Sequence, residues 1–195
     1  MSHARTEDEI FETFKGEHAQ DGERFKEWWR RYWMDHINMY TDMGWRVFPC
    51  GEYSKRPVAG WKWTEKRLDF AGMVWYAARG FNLAAVAGDM VVLDFDSPAV
   101  RGFDVKTLTM VTPKGFQYWT TGPFDPRFYE KLKRAGFDTP RTGPGMYSLV
   151  PLSRTCTRDK GGKDYCLVHD NRYREWVDLT AEALPFRKVA KELVG

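Results

Sequence analysis

The 195-residue chain contains few cysteines, and Cys50, Cys156 and Cys166 are the complete set. An odd and sparse set of thiols argues against a disulfide framework and is typical of a reducing compartment. The sequence also lacks a run of about 20 apolar residues, the length that a membrane-spanning helix requires. Its first residues do not combine a basic start, an apolar core and a small-residue cleavage site, as a secretory leader does. We therefore expect a cytoplasmic protein with no membrane partner.

The chain also lacks a large excess of either sign of charge. Basic residues outnumber acidic ones only slightly, and the formal net charge of the chain is +3. So small an excess permits a nucleic acid partner without indicating one. Local clusters of charge therefore carry more information than the total.

Aromatic residues, by contrast, are abundant and include 9 Trp. Between residues 7 and 43, apolar and aromatic side chains recur at steps of three and four, which predicts helices. Gly16 and Gly22 divide this region into a short leading helix and a longer one. We predict an N-terminal helical extension over residues 1–24 and a single α+β domain over residues 25–195, because the chain is long enough to bury one full core.

Short apolar runs bounded by glycine, proline and polar turns predict β-strands in the rest of the chain. The predicted strands cover residues 45–49 (ending at Pro49), 82–87, 91–95, 109–112, 116–120, 146–151 and 165–168. Helices are predicted over residues 69–79, after Pro126 and after Pro185, and turns at Gly88-Asp89 and over residues 141–145.

The most informative run covers residues 91–98 and reads VVLDFDSP. Because side chains alternate along a strand, Asp94 and Asp96 point to one face while Phe95 points back into the core. Two carboxylates on one face repel each other unless a counter-charge arrives, which makes Mg²⁺ or Mn²⁺ a natural ligand. The run therefore predicts a metal site at the end of a strand. A simple turn with Ser97-Pro98 is the alternative.

The order of motifs along the chain is more informative than any one of them. The motifs are, in sequence, Gly44-Trp-Arg-Val-Phe-Pro, Lys55-x-Pro, Asn82-Leu-Ala-Ala-Val-Ala-Gly, Leu93-Asp-Phe-Asp, Thr112-Pro-Lys-Gly-Phe-Gln-Tyr-Trp, Phe137-Asp, and Gly143-Pro-Gly-Met-Tyr-Ser-Leu-Val-Pro-Leu-Ser. This succession resembles the N-terminal domain of bifunctional DNA primase/polymerases, the prim-pol branch of the archaeo-eukaryotic primase superfamily. The resemblance covers roughly residues 30 to 190.

The resemblance implies an archaeo-eukaryotic primase-like fold, in which an RRM-like sheet with flanking helices joins an N-terminal helical or αβ unit. It implies a metal-dependent nucleotidyltransferase that initiates or extends strands on a single-stranded DNA template from (deoxy)nucleoside triphosphates. Such domains replicate phages, plasmids and other mobile elements. The chain has no Gly-rich phosphate loop followed by Lys-Ser/Thr, so any unwinding would come from a separate helicase.

The resemblance also implies the site residues. Asp94 and Asp96 would form the first metal-binding motif and Asp138 would be the third carboxylate, so that all three are both catalytic residues and metal ligands. Three carboxylates can hold paired Mg²⁺ or Mn²⁺ ions for in-line attack on a phosphorus centre. For Asp138, which follows a predicted helix, a capping or turn role is the alternative.

Gln117 is the main departure from the family, which typically has a histidine at this position to contact the nucleotide phosphates. A glutamine amide can donate a hydrogen bond, but it carries no positive charge and shuttles no proton. Lys114, Arg141 and Lys55 are the candidates for additional contacts with nucleotide or template, with solvated surface charge as the alternative. If Gln117 does not substitute, the domain is a catalytically weak or inactive module that binds nucleic acid, nucleotide or a protein partner.

Other classes of site were considered for the same residues. A nucleotide-sugar glycosyltransferase also carries Asp-x-Asp, but it would begin with a nucleoside-binding βαβ region instead of an aromatic helix. A haloacid-dehalogenase-like phosphatase has Asp-x-Asp-x-Thr, whereas Pro98 occupies the threonine position here. A zinc site formed by Cys50, Cys156, Cys166 and His169 would lack a close cysteine pair, and ordinary half-buried thiols are the alternative.

Overall fold

The structure is a computed structural model. It describes residues 34–51, 54–79, 81–96, 105–112, 115–151, 153, 157–158, 164–165 and 175–195. The chain divides into two compact units, of which the first comprises Met1–Ala84 and Leu152–Asn171 and the second Ala85–Pro151 and Arg172–Gly195. The predicted N-terminal extension over residues 1–24 lies outside the described residues, and its boundary stays a prediction.

Helices and strands alternate irregularly along the chain. In chain order, the elements are α1 (residues 34–42), β1 (Val47–Cys50), α2 (Phe70–Ala78), β2 (Asn82–Phe95), β3 (Leu108–Val111), β4 (Phe116–Thr121), a 3₁₀ turn (Pro126–Phe128), α3 (Tyr129–Arg134), β5 (Arg141–Leu149), β6 (Thr157–Arg158), β7 (Asp164–Tyr165), β8 (Glu175–Trp176) and α4 (Phe186–Val194). The predicted helices α2, α3 and α4 and the antiparallel pair of β3 with β4 are confirmed. None of the helices in this described part of the chain is long and apolar enough to cross a membrane.

Three details of the strand prediction are wrong. Pro49 lies inside β1 instead of ending it, because its carbonyl still accepts a hydrogen bond from the amide of Val58 at 3.0 Å. β2 runs for 14 residues through the predicted turn, since Gly88 adopts a φ of +56° at no steric cost. The predicted turn over residues 141–145 is the start of β5, which pairs with β2 and tolerates a φ of +87° at Gly143.

The first unit is held together by aromatic packing. Ile37 and Tyr40 of α1 are fully buried, and the Tyr40 ring stacks on Trp45 at a centroid distance of 5.7 Å. This burial shows that these two residues of the periodic pattern between residues 7 and 43 belong to the core. Helix α2 begins after Asp69, whose carboxylate accepts a hydrogen bond from the Gly72 amide at 2.8 Å. Such an N-cap satisfies one of the free amides of the first turn.

The second unit is an antiparallel sheet covered by helices, as an α+β domain should be. Its strands follow the order β2, β4, β3, β8, and β5 pairs with β2. Helices α3 and α4 pack on one face of this sheet. The residues of that core are Val91, Leu93, Phe95, Val105, Tyr118, Leu132, Phe137, Phe186, Val189, Ala190 and Leu193. Burial of each such large side chain contributes about 1.5–3 kcal/mol, which fixes the sheet under the helices.

Strand register decides which residues lie on the opposite face. Leu93 pairs with Tyr118, and both belong to the helix-covered core. The next pair is Asp94 with Gln117, and because side chains alternate along strands, both point to the other face. A shift of one residue in the pairing of β2 with β4 would exchange the two faces of the strand. The apolar residues that keep β2 in register therefore also fix the position of the Asp94 carboxylate.

Candidate active site

Asp94 lies near the end of β2 and is almost completely buried. Only 6% of its surface is exposed, and its neighbours Leu93 and Phe95 anchor the strand in the helix-covered core. A buried carboxylate is stable only when counter-charges or hydrogen-bond donors surround it. The side chains around Asp94 therefore define the chemistry of the site.

Asp138 is a backbone neighbour of Asp94. Its amide donates a hydrogen bond to the Asp94 carbonyl at 2.9 Å, and the adjacent residues Phe95 and Phe137 form an antiparallel bridge. The two phenylalanine rings lie 5.1 Å apart in the core. Since opposite residues of an antiparallel pair point to the same face, Asp94 and Asp138 share the face opposite those rings.

Gly136 allows the chain to make this approach after α3. Its φ is +94°, which strongly favours glycine, and a Cβ at this position would meet the Phe95 ring at 3.0 Å. The helix therefore ends in a turn that directs the next residues along the end of β2. Asp96 and Asp138 are both exposed, in contrast to Asp94.

One oxygen of Asp94 is held by two donors. Oδ2 accepts hydrogen bonds from Arg141 Nη2 at 2.6 Å and from Gln117 Nε2 at 3.1 Å. Ser148 Oγ in turn donates to Gln117 Oε1 at 2.8 Å, so the amide is fixed at both ends. Gln117 and Ser148 are only 3% and 5% exposed. The result is a buried network in which a full positive charge and a neutral amide compensate one carboxylate.

The other oxygen, Asp94 Oδ1, is buried without a hydrogen-bond partner among the described residues. An anionic oxygen left in this state is costly, by about 1–3 kcal/mol or more for a charged group. Carboxylate oxygens are also the preferred ligands of Mg²⁺ and other hard cations. The donor chemistry of Asp94 thus fits a divalent cation at this oxygen.

Asp94 does not, however, belong to a preformed cluster of ligands. Within the described ranges, no group of three or more His, Cys, Asp or Glu residues is arranged to hold a metal ion. The exposed Asp96 and Asp138 belong to the same end of β2 by sequence and by backbone pairing. A cation bound at Asp94 would therefore require these two side chains to turn toward it.

The structure describes two of the three basic residues that the sequence predicts as nucleotide or template contacts, and they lie in different units. Arg141 is the first residue of β5 and contacts Asp94 directly. Lys55 is exposed and belongs to the first unit. Lys114 lies outside the described residues. Of the predicted basic residues that the structure describes, Arg141 is therefore the one that contacts the carboxylate.

Ser148 was missed by reasoning from the sequence. It is a single small hydroxyl residue next to the apolar pair Leu149 and Val150. The one signal in the sequence that could have identified it is a polar residue at the start of a buried apolar run. The contact of Arg141 with Asp94 was also missed, because it depends on how β5 pairs with β2.

Cys50 is the member of the predicted zinc set that lies within the described residues. Its side chain is fully buried, and burial raises the pKa of the thiol to about 12. Zinc binds the thiolate, so a zinc ion at this position would have to displace the thiol proton, and the zinc set stays a prediction. The other members of that set, Cys156, Cys166 and His169, lie outside the described residues.

A buried strand-end carboxylate with one oxygen available and an adjacent arginine is suited to a cation and a phosphate-bearing ligand. The chain belongs to the Prim-Pol family, described as bifunctional DNA primase/polymerase, N-terminal, whose model matches residues 37–185. This match confirms the resemblance seen in the order of motifs. A comparison with curated proteins finds no match.

Proposed function

We propose that the protein is a metal-dependent nucleotidyltransferase of the prim-pol type, with a primase-like, RRM-like sheet as its core. It would initiate or extend DNA strands on a single-stranded template. Membership of the family supports the reaction class. The observation that carries the proposal is the buried Asp94, with one oxygen held by Arg141 and Gln117 and the other without a hydrogen-bond partner in the described chain.

Asp94, Asp96 and Asp138 would hold Mg²⁺ or Mn²⁺. When bound, the ions would supply activation of the attacking 3′-hydroxyl and neutralisation of charge on the triphosphate and the leaving pyrophosphate. Asp94 would contribute through Oδ1, its available oxygen. The exposed side chains of Asp96 and Asp138, at the same end of β2, would complete the set.

Arg141 would bind the triphosphate. In the structure its guanidinium neutralises Asp94. Phosphate oxygens offer competing anionic acceptors whose geometry matches the guanidinium fork, so the arginine would move from carboxylate to phosphate when nucleotide binds. The side chain is already 22% exposed, which gives it a path to the ligand.

Gln117 would act as a neutral hydrogen-bond donor. Ser148 occupies its carbonyl oxygen, so the amide NH₂ group is directed toward the carboxylate and the nucleotide side of the network. An amide supplies no proton for transfer. Catalysis in this protein would then depend on placement and charge instead of on a histidine.

The test is Mn²⁺-dependent incorporation of labelled deoxynucleotide on a primed single-stranded template. Asp94→Asn keeps the volume of the side chain but removes its charge. The matched control is Asp89→Asn, which makes the same change at an exposed position of the same strand. Loss of incorporation in the first variant and not in the second supports the proposal, and equal activity in both contradicts it.

A second candidate is a primase-like module that binds nucleic acid or nucleotide without efficient turnover. The observation in its favour is Gln117 in the position of the family's histidine. Wild-type protein that binds single-stranded DNA and nucleotide, but incorporates none with Mg²⁺ or Mn²⁺, would establish this alternative. A separate helicase, a role in phage or plasmid replication and a cytoplasmic location are proposals that rest on the family alone.

A further inference from the structure

One segment of the first unit carries a local excess of positive charge. Residues 54–79 contain six basic and two acidic side chains, a net charge of +4, whereas the whole chain carries +3. Five of the basic residues are exposed, namely Lys55, Arg56, Lys62, Lys66 and Arg67. An exposed excess of this kind attracts polyanions.

The same segment contains a helix without a single charged residue. Helix α2 reads FAGMVWYAA, and its inward side is formed by Met73 and Ala77, which are buried. On its outer side Ala71 is exposed, Val74 is half-buried and Trp75 is 48% exposed. A tryptophan ring with this much surface in water is a large apolar group that is only partly covered.

Arg79 places a cation on that ring. Its Cζ lies 3.9 Å from the centroid of the Trp75 ring, and its Nη1 donates to the Trp75 carbonyl at 3.1 Å. Tyr76 packs edge-on against the same ring at 4.8 Å and also contacts Trp61 at 6.0 Å. An exposed aromatic ring is therefore held in place by its neighbours with a guanidinium beside it.

We infer that the Trp75 surface, defined as Trp75, Tyr76 and Arg79, binds single-stranded DNA, and that the exposed basic residues that precede α2 in the chain help to attract the strand. The inference rests on the proposed function, because it names the surface that would hold the template. Unpaired bases stack on exposed aromatic rings regardless of sequence, while lysine and arginine neutralise the phosphates between them. Duplex DNA offers no free base faces along its length, so the tryptophan favours the single strand.

The experiment measures binding of a fluorescein-labelled 20-mer of dT by anisotropy, with EDTA present and no nucleotide. Trp75→Ala should weaken binding by about 5- to 100-fold, the range expected for loss of one stacked base. Trp75→Phe retains an aromatic face and should keep part of the affinity. Because the residue is largely exposed, circular dichroism and melting temperature should stay at wild-type values.

The charge contribution is tested separately with Arg79→Gln. The slope of log affinity against log salt should fall by about 0.7, the value for one phosphate contact on a single strand. The matched control is Lys133→Gln, because Lys133 also places a cation over a ring, that of Tyr129 at 6.0 Å, but in the second unit. This control should leave both the affinity and the slope unchanged.

The outcomes separate this inference from the proposed function. Wild-type affinity in Trp75→Ala, tighter binding of a blunt duplex, or tighter binding of a 20-mer of rU would overturn the inference even if Asp94→Asn abolishes incorporation. Conversely, loss of DNA binding in Trp75→Ala would support it even if the wild-type protein incorporates no nucleotide. Asp94→Asn should bind the labelled strand normally.

Discussion

Arg141 and Asp94 form an ion pair in which Nη2 lies 2.6 Å from Oδ2, with the aspartate almost completely buried. The pair leaves Asp94 Oδ1 without a hydrogen-bond partner in the described chain. The arginine thus supplies the positive charge that a divalent cation would otherwise provide, and it does so through the opposite oxygen.

Arg141→Gln should raise the affinity for Mn²⁺ in the absence of nucleotide, by roughly three- to tenfold, because it removes a competing positive charge next to Asp94. The same change should weaken binding of nucleoside triphosphate. Titration of free Mn²⁺ by electron paramagnetic resonance measures the first effect. Arg134→Gln, an exposed arginine of α3, is the control. Weaker Mn²⁺ binding in Arg141→Gln would mean that the arginine supports the cation site instead of competing for it.

Ser148→Ala should lower both stability and turnover, since it leaves the buried oxygen Oε1 of Gln117 without its 2.8 Å donor. The cost is about 1–3 kcal/mol of unfolding free energy, measured by denaturant titration. Ser153→Ala is a matched control. That serine is also fully buried and exchanges two hydrogen bonds with the backbone of Leu83, but in the first unit.

The two serine variants should differ in activity. Both should be destabilised, whereas only Ser148→Ala should reduce the rate of incorporation at saturating nucleotide. Ser148→Thr retains the hydroxyl and should recover part of that rate. A full rate in folded Ser148→Ala would show that the orientation of Gln117 does not matter for the reaction.

Gln117→His should raise nucleotide affinity or turnover and add a new pH dependence near about 6.5, the ordinary pKa of histidine. A neutral imidazole offers one donor and one acceptor, which matches the bonds that Gln117 makes to Asp94 and Ser148. Rates from pH 5.5 to 8.5 for the wild type and the variant measure this effect. Loss of activity would indicate that the network is built around the amide.

Asp125 provides a prediction about stability and pH. Hydrogen bonds from Arg127, together with the charges of Arg127 and Arg187, lower the pKa of Asp125 to about 2. Because the folded pKa lies below the unfolded value near 4, the ionised carboxylate stabilises the fold above about pH 4 and loses this effect as the pH falls toward 2.

Asp125→Asn should therefore melt below the wild type at pH 7, and the difference should shrink between pH 4 and pH 2. Thermal denaturation followed by circular dichroism measures it. Glu130→Gln, at an exposed position of α3, should show no such pH-dependent difference. A gap in melting temperature that stays constant down to pH 2 would contradict the assigned pKa.

Local pattern predicts some parts of this protein well. The alternation in β2 correctly directs Phe95 into the core, and the proline and glycine signals around α3 correctly predict the helix and its end. These features depend on neighbours in sequence. The proximity of Asp138 to Asp94, by contrast, was expected only from the family resemblance.

The features that were missed depend on partners distant in sequence. Neither the bond from Ser148 to Gln117 nor that from Arg141 to Asp94 has a local signal, since both require the register of separate strands. The sequence predicts a turn at residues 141–145, because two glycines and a proline within five residues are typical of turns. Pairing with β2 outweighs that tendency.

The proposed reaction depends on Asp94 as a ligand of the catalytic cation. Mn²⁺ binding and labelled deoxynucleotide incorporation on a primed single strand, compared between Asp94→Asn and Asp89→Asn, test it most directly. We expect the Asp94 variant to fold normally, to bind Mn²⁺ at least about tenfold more weakly and to incorporate no nucleotide, while the Asp89 variant matches the wild type. Wild-type Mn²⁺ affinity and incorporation in Asp94→Asn would contradict it.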